Sequence, residues 1–166
     1  MKRFGKILMV AALAMVSYSA SAELEPQWEK GTAVLNAAVG VEPFGGAISF
    51  DYVLVDQWWK GHFTVGGEFD FGKPYKETSL GVTPRATYGL NITPEFEVHV
   101  TAETGFGLRS WTYWDGEKDV KNSDTFIMWG SFVGCRYFFM DNLAAFAELG
   151  SSWRFPALRA GISFKF

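Results

Sequence analysis

The side chains able to do chemistry in this 166-residue chain are few and regularly placed. Asp51, Glu68, Asp70, Glu97, Glu103 and Glu148 are acids, Arg85, Arg136, Arg159 and Lys165 are bases, and most have apolar or small neighbours on both sides. Such groups can work as a general acid and base, ligate a metal, or pair with one another. In a closed interior, carboxylates facing guanidinium groups are more often structural ion pairs than catalysts. His62 and His99 are the only histidines. On an extended chain Glu97 and His99 share a face, but a metal centre needs several converging ligands. No Ser-His-acid arrangement is visible either. Both histidines are therefore read as hydrogen-bonded interior residues. No catalytic residue, metal ligand or cofactor is assigned. The single cysteine, Cys135, can form no intrachain disulfide and reads as a small apolar strand residue.

The elements that must position these groups are strands. In the final stretch 157–166, Leu158, Ala160, Ile162, Phe164 and Phe166 alternate with Arg159, Gly161, Ser163 and Lys165. Side chains of a strand point alternately to opposite faces, so this is an amphipathic strand. The same alternation predicts strands over 32–41, 47–55, 62–71, 80–90, 96–108, 126–139 and 143–153. Tight turns lie between most of them. Each strand has about the 9–11 residues that a tilted strand needs to cross a bilayer. In 126–139 the alternation is blurred by Met128, Phe132 and Phe138. Pro84 sits inside the fourth strand, where proline cannot donate to a ladder, and predicts a bulge or a lost hydrogen bond. The connection 109–125 is the longest. It carries Asp115-Gly116, a hairpin signal, between Trp111, Tyr113 and Trp114 on one side and mixed charges on the other. Strands five and six therefore extend as a ribbon.

An eight-stranded barrel has an interior just wide enough to be filled by side chains. It cannot hold Phe63, Phe69, Phe71, Phe96, Phe106, Trp129, Tyr137 and Phe164 together. The apolar parity must then face outward. The other parity carries the charges and nearly all strand glycines, among them Gly66, Gly89, Gly105, Gly134 and Gly161. Small residues belong where space is short. A lipid-facing Arg or Lys would cost about 2–4 kcal/mol at the midplane, and no strand carries one there. The ionic residues are thus expected to form an internal network, with Arg85 near mid-height against Glu68, Glu103 or both. Aromatic girdles are expected at the two rims: Trp58, Trp59, Tyr88, Phe138, Phe139 and Phe166 at the periplasmic one, Phe71, Phe106, Trp129 and Trp153 at the outer one.

The N-terminus has Lys2, Arg3 and Lys6, an apolar run over 7–16, and Ala20-Ser21-Ala22. This is a cleaved secretory signal peptide over 1–22, too short in its apolar part to span a membrane, followed by a polar lead-in and a barrel domain within 23–166. Its removal takes three positive charges from a chain of net charge -3, which argues against a nucleic-acid partner.

The whole pattern is that of an all-β, eight-stranded, antiparallel up-and-down transmembrane β-barrel. It resembles the small bacterial outer-membrane barrels of the OmpX type and the membrane domain of OmpA-type proteins. The resemblance rests on strand count, parity, charged interior and the Ile162, Phe164, Phe166 ending. It implies localisation in the bacterial outer membrane, membrane lipids as surroundings, and a C-terminal strand read by the outer-membrane assembly machinery through Ile162, Phe164 and Phe166. It also implies a structural or surface-interaction role rather than an enzyme. The third outer loop, with Trp111, Tyr113, Trp114, Asp115 and Gly116, is a candidate surface for an extracellular protein, by strand addition. The alternatives are a narrow pore or carrier for small, even hydrophobic, solutes like the OmpW-type barrels, and, behind that, a lipid-modifying enzyme. The lipid face lacks the polar groups that an enzyme of that kind would need.

Overall fold

A computed structural model of the protein describes residues 28–166, so the signal segment 1–22 and the start of the lead-in lie outside the described residues. Eight strands follow one another: β1 (Ala33–Val41), β2 (Phe44–Trp58), β3 (Gly61–Lys73), β4 (Glu77–Asn91), β5 (Phe96–Trp114), β6 (Asp119–Met140), β7 (Leu143–Ser152) and β8 (Leu158–Lys165). Each pairs with the next, and β1 pairs with β8, which closes the barrel. All pairings are antiparallel. At the closure Leu35 faces Phe164, Ala37 faces Ile162 and Val39 faces Ala160. Closure leaves no sheet edge within the barrel wall, as a hydrocarbon surrounding requires.

Parity decides the faces. Along β2, Ile48, Phe50, Tyr52 and Leu54 are exposed, while Ala47, Ser49, Asp51 and Val53 are buried. The exterior is therefore the oily side: Phe106 is 67% and Ile127 68% exposed, whereas Glu97 and Asp70 inside are 0% exposed. Aromatic residues ring the barrel near both ends. Trp58, Trp59, Phe139 and Phe166 are exposed at the terminal end, where β1 begins and β8 finishes, and Phe106, Trp129 and Trp153 are exposed toward the opposite end. The Tyr88 hydroxyl donates to the carbonyls of Trp58 and Trp59, at 3.0 Å each.

The structure decides several local expectations. Of the two outcomes expected at Pro84, lost pairing occurs and a bulge does not. The β4–β5 ladder skips Thr83 and Pro84, yet its register is the same on both sides. The missing N–H is accommodated by dropping local pairs, and Pro84 still lies opposite Gly67 of β3. The register shifts fall elsewhere, between Val53 and Trp58 of β2 and between Phe138 and Met140 of β6. Both lie at the terminal end. Strands β5 and β6 run through most of 109–125, leaving only 115–118 as the turn. That stretch lacks apolar alternation because neither face of a ribbon beyond the wall is buried.

The residues that blurred the pattern in β6 face inward. Met128, Phe132 and Phe138 are 0%, 1% and 4% exposed. Phe138 is thus no girdle residue. It belongs to an interior cluster with Trp28, Val34, Val53 and Ala144 at the terminal end. At the other end Phe126 stacks on Phe155, with ring centroids 6.3 Å apart. Inward glycines make the room: a Cβ on Gly81 would lie 2.6 Å from Met128 Sδ and 2.9 Å from the Phe155 ring. At Gly66 a Cβ would run into the Phe50 carbonyl oxygen and an Asp51 carboxylate oxygen. Gly66→Ala should therefore destabilise the barrel by about 1–3 kcal/mol, the usual cost of overpacking, in urea unfolding from phospholipid vesicles. An unchanged midpoint would show the interior to be looser than this packing.

Candidate functional site

The interior is layered: an apolar plug at each end and an ionic middle. The half nearer the termini centres on Glu97. Its carboxylate accepts from Arg136 Nη1 at 2.9 and 3.2 Å. It also accepts from the Trp28 indole N–H at 2.7 Å. A buried indole needs such a partner. The Arg136 guanidinium lies 5.3 Å from the Trp28 ring centroid. His62 is 4.9 Å from the Trp28 ring, centroid to centroid, with Nε2 3.7 Å from Glu97. Arg136 Nε donates to Ser163 Oγ at 3.0 Å, and Ser163 donates to Asn36 at 2.7 Å. Asn36 donates in turn to Asp51 at 2.8 Å, which joins this half to the next.

In the other half, Arg85 lies against Glu68 and reaches Asp51 at 3.5 Å and Glu148 at 3.3 Å. It also donates to Ser49 Oγ at 2.9 Å. Glu103, its direct neighbour across the ladder, is instead 3.6 Å from Arg159. Arg159 holds Glu68 and Glu148 at 2.5 Å each and comes within 3.7 Å of Asp70. Its guanidinium covers the Phe132 ring at 3.7 Å. His99 bridges the halves, with Nδ1 3.0 Å from Glu97 and Nε2 3.1 Å from Glu148. Strand geometry makes this convergence possible: inward charged residues from seven strands, β2 to β8, meet on the axis of a narrow barrel.

Asp51, Glu68, Asp70, Arg85, Glu97, Glu103, Arg136, Glu148 and Arg159 are thus brought into one connected set. Lys165, expected in that set, is not in it. Its Nζ lies over the Phe138 and Trp28 rings, at 5.3 and 5.7 Å from their centroids. These two rings hold the ammonium by cation–π contact, where an ion pair was expected. Trp28 and Phe155 had no place in the sequence reading. One stands in a polar lead-in and the other in a turn, outside any alternating run. The only signal for Trp28 was an indole isolated among Gln27, Glu29 and Lys30. Ile162, Phe164 and Phe166 are exposed on the exterior, beside the β1–β8 closure.

The ribbon is the second candidate. Its tip is built by Asp115, whose Oδ1 accepts from the backbone amides of Glu117 at 3.0 Å and Lys118 at 2.9 Å. Gly116 has φ 104, the left-handed region that favours glycine. Arg109 pairs with Asp124 across the strands at 2.9 Å and stacks its guanidinium 4.9 Å from the Trp111 ring. Tyr113 and Trp114 are exposed. On its other side, β6 finds β7 only from Gly130 onward, so residues 119–129 pair with β5 alone. The backbone amides of Glu117 and Lys118 hold the Asp115 carboxyl below its ordinary value. A lowered folded value contributes order that is present above the unfolded value and lost as pH falls through the folded one. The protection factors of the Glu117 and Lys118 amides, taken against the intrinsic exchange rate at each pH, should therefore fall on acidification to below the usual carboxylate range. Equal protection across that range would remove Asp115 from the turn's support.

The chain matches no protein-family profile. It also matches no curated protein. Among solved structures it is similar to the N-terminal β-barrel domain of Pseudomonas aeruginosa OprF, with TM-score 0.61 and 17% identity over 82% of this chain and 98% of that one. It is similar to a de novo designed transmembrane β-barrel, with TM-score 0.55 and 16% identity over 84% of this chain and 98% of that one. Neisserial surface protein A aligns with TM-score 0.51 and 19% identity over 82% of this chain and 94% of that one. At these identities the likeness is one of fold. The fold is that of the small bacterial outer-membrane β-barrels. With its apolar girth against lipid, the chain is an integral, multi-pass barrel of that class.

Proposed function

We propose that the protein is a structural, surface-interacting barrel of the outer membrane, filled inside and neither a pore nor an enzyme. The filled interior carries this reading: Trp28 and Phe138 at one end and Met128, Phe132 and Phe155 at the other are each at most 4% exposed. The ionic middle between them is beyond the reach of solvent. Among the described residues its charged groups are buried against one another, which supports a barrel without a solute path or a reachable acid–base pair. The described exterior of the wall is mainly apolar, which speaks against chemistry on lipid.

The interacting part is the β5–β6 ribbon. Its unpaired β6 margin can accept a strand from an extracellular protein, with Trp111, Tyr113 and Trp114 beside it for apolar contact. Cleavage after Ala22 leaves 23–166, with the termini on the periplasmic side and the ribbon outside. Ile162, Phe164 and Phe166 then serve the assembly machinery as the C-terminal signal.

Planar-bilayer recording of the refolded barrel tests the filled interior. Silence is expected, and steady single-channel conductance would replace this reading with the narrow pore. A parallel binding screen against surface proteins should lose its hits when 111–124 is replaced by a short turn. Hits kept by the shortened chain would move the interaction elsewhere.

A further inference from the structure

The interior carries more negative than positive charge, and the surplus is local. Six carboxylates, Asp51, Glu68, Asp70, Glu97, Glu103 and Glu148, are buried with three guanidinium groups, Arg85, Arg136 and Arg159. Arg136 is engaged by Glu97, and Arg85 by Glu68, Asp51 and Glu148. Arg159 makes its close contacts, at 2.5 Å, with Glu68 and Glu148. Asp70 and Glu103 are left with that same guanidinium at 3.7 and 3.6 Å, outside hydrogen-bonding distance. Among the described residues, no N–H or hydroxyl donor reaches a carboxylate oxygen of Asp70 or of Glu103, and each carboxyl lies close enough to Glu68 to share a proton with it. An ionised carboxylate offers about four lone-pair sites, and leaving them empty in a dry interior is costly.

These groups converge. Glu68, Asp70 and Glu103 each present an oxygen, and the three oxygens lie within 4.8 Å of one another. A neutral group lies on the same inward face. Thr83 of β4 is 0% exposed, sits directly opposite Glu68 in the ladder, and its Oγ1 has no partner among the described residues. A buried hydroxyl normally finds a partner. Here it is placed on the inward face beside the three carboxylates, at the position where the β4–β5 ladder is interrupted. Oxygen donors only, several of them anionic and none of them sulfur or imidazole, suit a hard cation.

We propose that Glu68, Asp70 and Glu103, with Thr83 Oγ1 as a neutral ligand, bind a divalent hard cation, Ca2+ or Mg2+, inside the barrel wall. The ion ties β3, β4 and β5 together where Thr83 and Pro84 interrupt the ladder. It offsets charge that Arg159 shares too thinly. Because the plugs exclude solvent, the ion is captured as the barrel closes and is exchanged slowly afterwards.

The test folds the barrel into phosphatidylcholine vesicles in Ca2+, in Mg2+ or in EDTA, strips outer ions with a chelating resin, and measures retained metal by mass spectrometry. A stoichiometric amount is expected in the wild type. Asp70→Asn with Glu103→Gln should lose it while remaining folded by gel mobility. Thr83→Val, which keeps every carboxylate, should lower retention at least as much as removing an outer-shell partner does, about tenfold. An Asp124→Asn ribbon variant should retain the wild-type amount. Metal absent from the wild type, or equal in the wild type and Thr83→Val, overturns the site. In the first case the surplus charge is carried by protons on the carboxyl groups instead.

Discussion

Arg159→Met is expected to lower the unfolding free energy of the barrel by about 3–5 kcal/mol, the range for breaking a buried charge set from one side. The guanidinium holds Glu68 and Glu148 at 2.5 Å and stands within 4 Å of Glu103 and Asp70. No water replaces it, because all four acids are at most 4% exposed. Methionine keeps an apolar stem but supplies neither a donor nor the guanidinium that lies over Phe132, so the loss combines the ion pairs with one cation–π contact. Arg159→Lys should fall between the two: it keeps the charge, but a point ammonium cannot fork between two carboxylates. Glu148→Gln in the Arg159→Met background should recover part of the loss, since removing the stranded charge relieves its desolvation. Urea titration of the vesicle-embedded barrel, followed by tryptophan fluorescence, measures each corner of this cycle. A loss below about 1 kcal/mol for Arg159→Met, the level of an exposed pair, would mean that the interior is hydrated and that the sealed reading is wrong.

Trp28→Ala is expected to cost about 3–5 kcal/mol, as for other large aromatic truncations in a core. The indole fills the terminal end of the bore and lies 5.4 Å, centroid to centroid, from Phe138. It also provides a hydrogen bond to Glu97 and a ring beneath Arg136 and Lys165. Trp28→Phe separates these parts. It retains most of the apolar volume but removes the N–H, and a lost hydrogen bond to a charged group is worth about 1.5–3 kcal/mol. The same urea titration reads both variants. If Trp28→Ala left the midpoint unchanged, residues ahead of β1 would be dispensable and the plug would be Phe138 alone.

The strands, their number and their outward face were legible because lipid imposes a simple rule. An alternating side chain is either apolar and outside, or small or polar and inside, and Gly66, Gly161, Glu68 and Arg159 obey it. The same rule fails inside, where nothing excludes an apolar residue. Met128, Phe132 and Phe138 lie on the inward parity of β6, in line with Gly130, Gly134 and Arg136. By hydropathy alone they look like lipid-facing residues.

What the sequence determined by itself was thus the barrel and its polarity, since both follow from local periodicity and the energetics of charge in lipid. The tertiary structure decided what fills the bore and who pairs with whom. Trp28, Phe155 and Phe138 become plugs only when closure brings a lead-in, a turn and a strand end onto one axis. Arg159 reaches Glu68, and Lys165 pairs with no carboxylate among the described residues, because shear sets the height at which each inward side chain arrives. That height is a property of the closed ring and not of any one strand.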